Sequence, residues 1–151
     1  MPDAIDKKIL KRLQSNARLT IKEIATEINL SVTPVHERIR KLEKEGYIDR
    51  YVGLLNRKKL GQSLLVYCNV TLDKQQKENF EDFNLAIKDM EEVLECSLVS
   101  GNFDYILKIV VQDADSFNTF YQHKLSVLKS VLHISSYFVI SEIKNSTEIS
   151  F

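Results

Sequence analysis

The sequence predicts an α+β chain of two domains, three helices followed by a βαββαβ unit. Two observations carry this. The apolar period changes from 3.6 to 2 at Ser63. The neutral total charge also hides a split, because residues 1–60 hold 14 Lys/Arg against 8 Asp/Glu, so +6, and the remainder holds 7 against 13, so −6. A basic half suits a polyanion, and an acidic half is repelled by one. With 151 residues the chain has room for one ordinary domain or two small ones. The expected boundaries are a helix-turn-helix over 1–50, a hinge strand or linker over 51–62 and a sheet domain over 63–151.

The first helix follows from "DAIDKKILKRLQSNAR", in which Ile5, Ile9, Leu10 and Leu13 share a face. In "LTIKEIATEINL", Thr20 and Glu23 form a T-x-x-E capping box ahead of the stripe Ile21, Ile24, Ala25 and Ile28. Asn29 ends that helix, being tolerant of the left-handed conformation. Two residues later Ser31 is placed to cap a third helix by accepting the Thr33 N–H. Pro34 falls at its third position, where an N–H has no intrahelical partner in any case. Val35, Ile39 and Leu42 give its buried face, and Gly46 stops it.

Two short helices joined so tightly are a helix-turn-helix candidate. The face of the third helix away from Val35, Ile39 and Leu42 carries Thr33, Glu37, Arg40 and Lys44, with Pro34 and His36 on its flanks. Thr, His, Glu and Arg can all bond base edges, and Arg forks onto guanine. Lys41, Lys44 and Arg50 suit phosphates, and Ser31 sits at the helix entry. Arg38 lies nearer the core edge and reads as one half of a structural salt bridge. Any one of these side chains could equally be ordinary surface charge. Ile48, Arg50 and Val52 alternate with Asp49 and Tyr51, the pattern of a short strand or wing. Arg57, Lys58 and Lys59 read as a solvated basic loop.

In the acidic half, "LLVYCNVTL" alternates Val66, Cys68, Val70 and Leu72 against Leu65, Tyr67, Asn69 and Thr71. "QKENFEDFNLAIKDM" puts Phe80, Phe83, Ile87 and Met90 on one helical face. "VLECSLV" and "DYILKIVV" are strands joined by "SGNF". "DSFNTFYQHKLSVLK" buries Phe117, Phe120, Tyr121, Leu125 and Leu128, and "VLHISSYFVISEI" is a last strand. This order is the ferredoxin-like arrangement. Its strands are apolar on both faces while two helices cover one, so a second copy of the sheet is expected on the other, as a two-fold dimer. Such a dimer would also serve the first half, because paired reading helices about 34 Å apart match one turn of duplex. Cys68 and Cys96 lack CxxC spacing and read as reduced core residues of a cytoplasmic protein.

Catalytic and metal patterns are not found. His36, His123 and His133 fall on different elements, and the chain has no Gly-rich phosphate loop, nucleophile elbow or paired-carboxylate motif. An enzyme is not expected, nor a cofactor. No apolar run approaches the roughly 20 residues that span a bilayer, so neither a membrane partner nor a targeting segment is expected.

The pieces "LSVTPVHERIRKLEKEGYI", "LLNRKKLG", "LVSGNFDYILK" and "VISEIK", in this order, resemble the Lrp/AsnC family of bacterial and archaeal transcription regulators across nearly the whole chain. The resemblance implies a helix-turn-helix domain, a hinge strand and a ferredoxin-like RAM domain that senses a small effector, usually a free amino acid. It also implies double-stranded DNA as partner, dimers assembled into octamers, and association with the nucleoid. By resemblance, Leu98, Ser100, Gly101, Asn102 and Asp104 match the effector loop, while Ala114, Ser136, Tyr137 and Phe138 line or flank the pocket. Asp104 would accept bonds from an ammonium group, and free main-chain N–H groups of the turn would hold a carboxylate. Without the resemblance, "VSGNFDY" reads as a plain hairpin turn. Asn102 replaces the first of two acids usual in that turn, and Ser136 replaces a common threonine. An alternative of another class is an amino-acid-sensing assembly whose helical half binds a protein rather than DNA.

Overall fold

A computed structural model describes residues 1–151. The chain forms two compact units, one of residues 1–54 with 144–151 and one of residues 55–143.

The helical unit contains α1 (Ala4–Ser15), α2 (Ile21–Glu27) and α3 (Val32–Lys44). α1 starts from a capping box absent from the expectations above. The Asp3 carboxylate accepts the N–H groups of Ile5 and Asp6, and Asp6 accepts the Asp3 N–H in return. α2 starts from the expected box, with the Thr20 N–H donated to Glu23 at 2.7 Å. Asn29 takes φ 57° just beyond α2, and Gly46 takes φ 75° beyond α3, so both stops act through the left-handed conformation. Ser31 does occupy the N-cap of α3, but its hydroxyl makes no capping bond. Pro34 at the third position has removed one of the two N–H groups a cap normally reaches, and the expected bond to Thr33 is not formed. Ile9, Ile24, Ala25, Val35, Ile39 and Leu42 make the buried centre, and Ile48 packs on it.

The strand expected over 48–52 and the hinge strand over 51–62 do not form. Residues 49–56 have no regular structure, and residues 57–61 make a turn. An extended segment needs a neighbouring strand to satisfy its N–H and C=O groups, and this chain supplies none there. The unit boundary also moves three basic residues, Arg57, Lys58 and Lys59, to the sheet unit. Over its own residues the helical unit holds 12 Lys/Arg against 9 Asp/Glu, a charge of +3.

The sheet unit contains β1 (Leu64–Leu72), α4 (Lys77–Lys88), β2 (Val93–Leu98), β3 (Tyr105–Val111), α5 (Ala114–Phe120) continued by a π-helical turn over Tyr121–Leu125, and β4 (Val131–Phe138). The antiparallel sheet has the order β2-β3-β1-β4, the ferredoxin-like topology. Val66, Cys68, Val70 and Leu72 are buried with Leu107 and Ile109 against Phe83, Ile87, Phe117, Phe120 and Leu125. The period-2 and period-3.6 stripes thus meet as read. The second face is less apolar than expected: Asn69, Lys108 and Ser135 lie there between Tyr67, Ile106 and Tyr137. Cys96 is exposed rather than in the core, because β2 is an edge strand bonded to β3 alone. Cys68 and Cys96 both pair with Leu107, from opposite sides. Two strand spacings, about 10 Å, put them beyond disulfide reach.

Candidate DNA-reading and effector surfaces

The reading surface is the exposed side of α3. Because Val35, Ile39 and Leu42 are all buried, helical geometry turns Thr33, His36, Glu37, Arg40, Lys41 and Lys44 outward, and all are exposed. Ser31, Pro34 and Arg50 are exposed as well. Arg40, Lys41, Lys44 and Glu45 line a shallow depression, and its three cations suit a phosphate. The ion pairs touching this surface are loose: Lys41 lies 3.9 Å from Glu45, and Arg50 lies 3.7 Å from Asp49. Such exposed pairs yield easily to a polyanion.

Arg38 is withdrawn from this surface, as its position near the core edge predicted. Its Nη1 donates to Asp3 Oδ2 and to Asp6 Oδ1, both at 2.6 Å. The Asp6 side chain is 8% exposed. The bond holds the start of α1 to the middle of α3 and so fixes the direction in which α3 projects. Asp3 is held below the ordinary carboxylate range, first by the Asp6 N–H it accepts and then by Arg38. The sequence reading missed these two partners, although the D-x-x-D spacing at residues 3–6 carries the signal.

Arg57 is not a solvated loop residue. It donates to the Gln62 and Ser63 carbonyls and pairs with Glu142, tying the turn at 57–61 to the segment after β4.

The effector loop is the β2–β3 connection. Leu98, Ser100, Gly101 and Asn102 are exposed there. Gly101 takes φ +150°, and nothing lies within 4 Å of where a Cβ would stand. The main chain at this turn is therefore open to a ligand. Asp104 behaves otherwise than expected. It is 6% exposed, and its two oxygens accept the Leu72 N–H at 2.8 Å and the Gln75 side-chain amide at 3.0 Å. Its N–H donates to Val70 and its carbonyl accepts the Val99 N–H. Asp104 positions the loop on the end of β1 and is not an outward acceptor for an ammonium. Gln75 was not singled out from the sequence, where nothing distinguishes it from other surface glutamines.

The remaining site residues lie elsewhere. Leu98 pairs with Tyr105, which pairs with Val70. Ser136, Tyr137 and Phe138 pair with Cys68, Tyr67 and Val66, toward the opposite end of the sheet. Four residues along β1 is about 13 Å. Ala114 opens α5 beyond that same far end, past Val111. Phe138 packs edge-on against Phe117, with ring centres 5.2 Å apart, on the helix side, whereas its neighbour Tyr137 faces the other way. Ser136 touches the Cys68 sulfur at 3.3 Å, and burial pushes that thiol up. A single chain therefore does not gather these residues into one pocket.

Comparison with known proteins identifies both units. Residues 2–49 match a winged helix-turn-helix DNA-binding family, and residues 65–149 match the Lrp/AsnC ligand binding domain. The chain belongs to the Lrp/AsnC family. It is a transcription regulator with a DNA-binding helix-turn-helix and a ligand-binding domain. The leucine-responsive regulatory protein of Escherichia coli K12 is 40% identical over 147 residues, which cover 97% of this chain and 90% of that protein. The solved structure of a Neisseria meningitidis transcriptional regulator in complex with L-Met has 32% identity and a TM-score of 0.96, covering 99% of this chain and 97% of that one. An AsnC family regulator from Agrobacterium tumefaciens, also 32% identical, has a TM-score of 0.93 and covers 98% of this chain and 96% of its own. These Lrp/AsnC relatives share both units with the present chain.

Proposed function

We propose that this Lrp/AsnC regulator reads double-stranded DNA through Thr33, His36, Glu37 and Arg40, and holds phosphates through Lys41, Lys44 and Arg50. The effector is a free amino acid, bound by main-chain N–H groups of Ser100 to Asn102. The observation that carries the reading is the division of labour on α3, where Arg38 is spent on structure while Arg40 and Lys44 stand exposed and Lys41 is held only by a loose pair to Glu45. The protein acts without catalysis, in the cytoplasm and at the nucleoid. The split of the effector residues along some 13 Å of sheet supports a site completed by a second copy. A homodimer, assembled further toward an octamer, supplies that copy. The bound L-Met of the Neisseria relative supports a neutral amino acid of similar size. The effector then acts by linkage, favouring one assembly over another.

The test combines gel shifts on a defined operator with calorimetry against the twenty amino acids. Arg40→Ala should cost about 1–3 kcal/mol of discrimination between operator and competitor. It should lower the salt slope by no more than about one phosphate. An unchanged footprint and preference in that variant would remove Arg40 from the reading surface.

A further inference from the structure

The first turn of α3 carries an apolar side chain that the fold does not use. Val32 is the first residue of the helix and keeps 47% of its surface in water. It belongs neither to the buried centre of the helical unit nor to the half-buried side chains packed on it. The other exposed large apolar residues of that unit lie elsewhere: Met1 at the start, Tyr47, Tyr51, Val52 and Leu54 in one segment, and Ile149 and Phe151 in the tail. A single exposed valine is ordinary on a protein surface, so its position decides what it means.

Helical geometry supplies that position. Residues four apart stand one above the other, so Val32, His36 and Arg40 form a row along α3, and all three are exposed. Val32 extends the row by one turn toward the end of a reading helix that enters the major groove. Thr33 and Pro34 follow it, both exposed, and add further methyl and ring carbons to the tip. The first turns of α1 and α2 hold Asp6 and Glu23, whereas that of α3 holds no acid to repel the DNA backbone.

We propose that Val32 reads the C5-methyl group of a thymine and so sets a preference for T·A at one position of the site that α3 contacts. The inference rests on the DNA reading proposed above and names a further residue of it. The thymine methyl is the apolar mark that distinguishes T from C in the major groove. Valine suits it, because branching at Cβ leaves one strongly preferred rotamer in a helix, and little freedom is lost on contact. Taking about one methyl group out of water is worth about fourfold in affinity. From Val32 to Arg40 the helix rises about 12 Å, and base pairs stack about 3.4 Å apart, so the thymine lies within about four base pairs of the guanine under Arg40.

The test is a double-mutant cycle with DNA as one partner. The unaltered protein enriches a duplex from a random-sequence pool, and the thymines of that duplex are replaced one at a time by deoxyuridine, which lacks only the methyl. One replacement, within about four base pairs of the guanine that Arg40→Ala no longer distinguishes, should weaken binding about fourfold. Val32→Ala should bind the thymine duplex about fourfold more weakly and be indifferent to that replacement, and Val32→Ser should do the same. Val32→Ala should melt no lower than the unaltered protein, since the side chain is exposed and alanine is the better helix former. If the unaltered protein binds every deoxyuridine duplex as well as the thymine duplex, the proposal is overturned while the DNA reading stands. It is equally overturned if Val32→Ala loses the same factor on both duplexes, which would assign Val32 to the sugar–phosphate backbone or to another protein chain. If no sequence is enriched from the pool, base reading by α3 fails, and this inference falls with it.

Discussion

Replacing Arg38 by Met should separate its structural role from any role in reading DNA. Met keeps much of the stem packing and removes the charge. Two carboxylates then lose their shared donor. The Asp6 side chain is 8% exposed, Arg38 is 31% exposed and Asp3 is 53% exposed. Breaking a buried pair costs about 3–5 kcal/mol, and an exposed one about 0–1. Asp6 retains the Asp3 N–H at 3.1 Å, and Arg38 is partly wet, so the loss should fall near 2–3 kcal/mol. For a unit of this size, that is a melting shift of roughly 10–20 °C. Thermal unfolding followed by far-ultraviolet circular dichroism reads it. Adding Asp3→Asn and Asp6→Asn to Arg38→Met should recover much of the loss, because the orphaned charges go. A shift worth less than about 0.5 kcal/mol would mean that water already screens the cluster. Equally damaging would be lost operator affinity in the folded Arg38→Met protein well below its melting point, since that would place Arg38 on the DNA.

Other outcomes follow from the same geometry. Asp104→Ala should leave the Leu72 N–H unpaired, cost about 1–3 kcal/mol and weaken effector binding through a loosened loop. Asp104→Asn should keep most of both, and if calorimetry finds binding gone at unchanged stability, the carboxylate touches the ligand directly. Gly101→Ala should cost about 1 kcal/mol from backbone strain alone, because the space around it is open, whereas Gly101→Trp should abolish the effector response and spare DNA binding, as calorimetry and gel shifts would record. Tyr51, raised to about 12 by partial burial and by its 2.9 Å bond to Glu43, should ionise late in an ultraviolet titration, a step that Tyr51→Phe removes. Its folded value lies above its unfolded value near 10, so its contribution to stability is complete below about pH 10 and is lost as pH rises toward 12.

Much of the fold was legible because local chemistry and global packing agree. The Thr20–Glu23 box, the left-handed stops at Asn29 and Gly46, and the alternation Val66, Cys68, Val70 and Leu72 each have a local cause that a sequence displays. The misreadings share a different character. The strand over 48–52 had the right alternation and lacked a partner. Cys96 sat in an apolar run whose strand proved to be an edge. Arg57 looked like loop charge until Glu142, 85 residues away, was found beside it.

The effector residues show the same division. Sequence placed Leu98 to Asp104 in one turn, and the structure agrees. It could not show that Asp104 faces inward onto Leu72 and Gln75, or that Ala114 and Phe138 stand at the far end of the sheet.

What the sequence determined by itself was periodicity, caps and the outward residues of α3, because these depend on neighbours within a turn or two of chain. Which charges are used up in holding the fold, and which remain for a ligand, only the tertiary structure decided. A side chain's availability depends on what stands within about 3 Å of it, and that neighbour comes from anywhere in the chain.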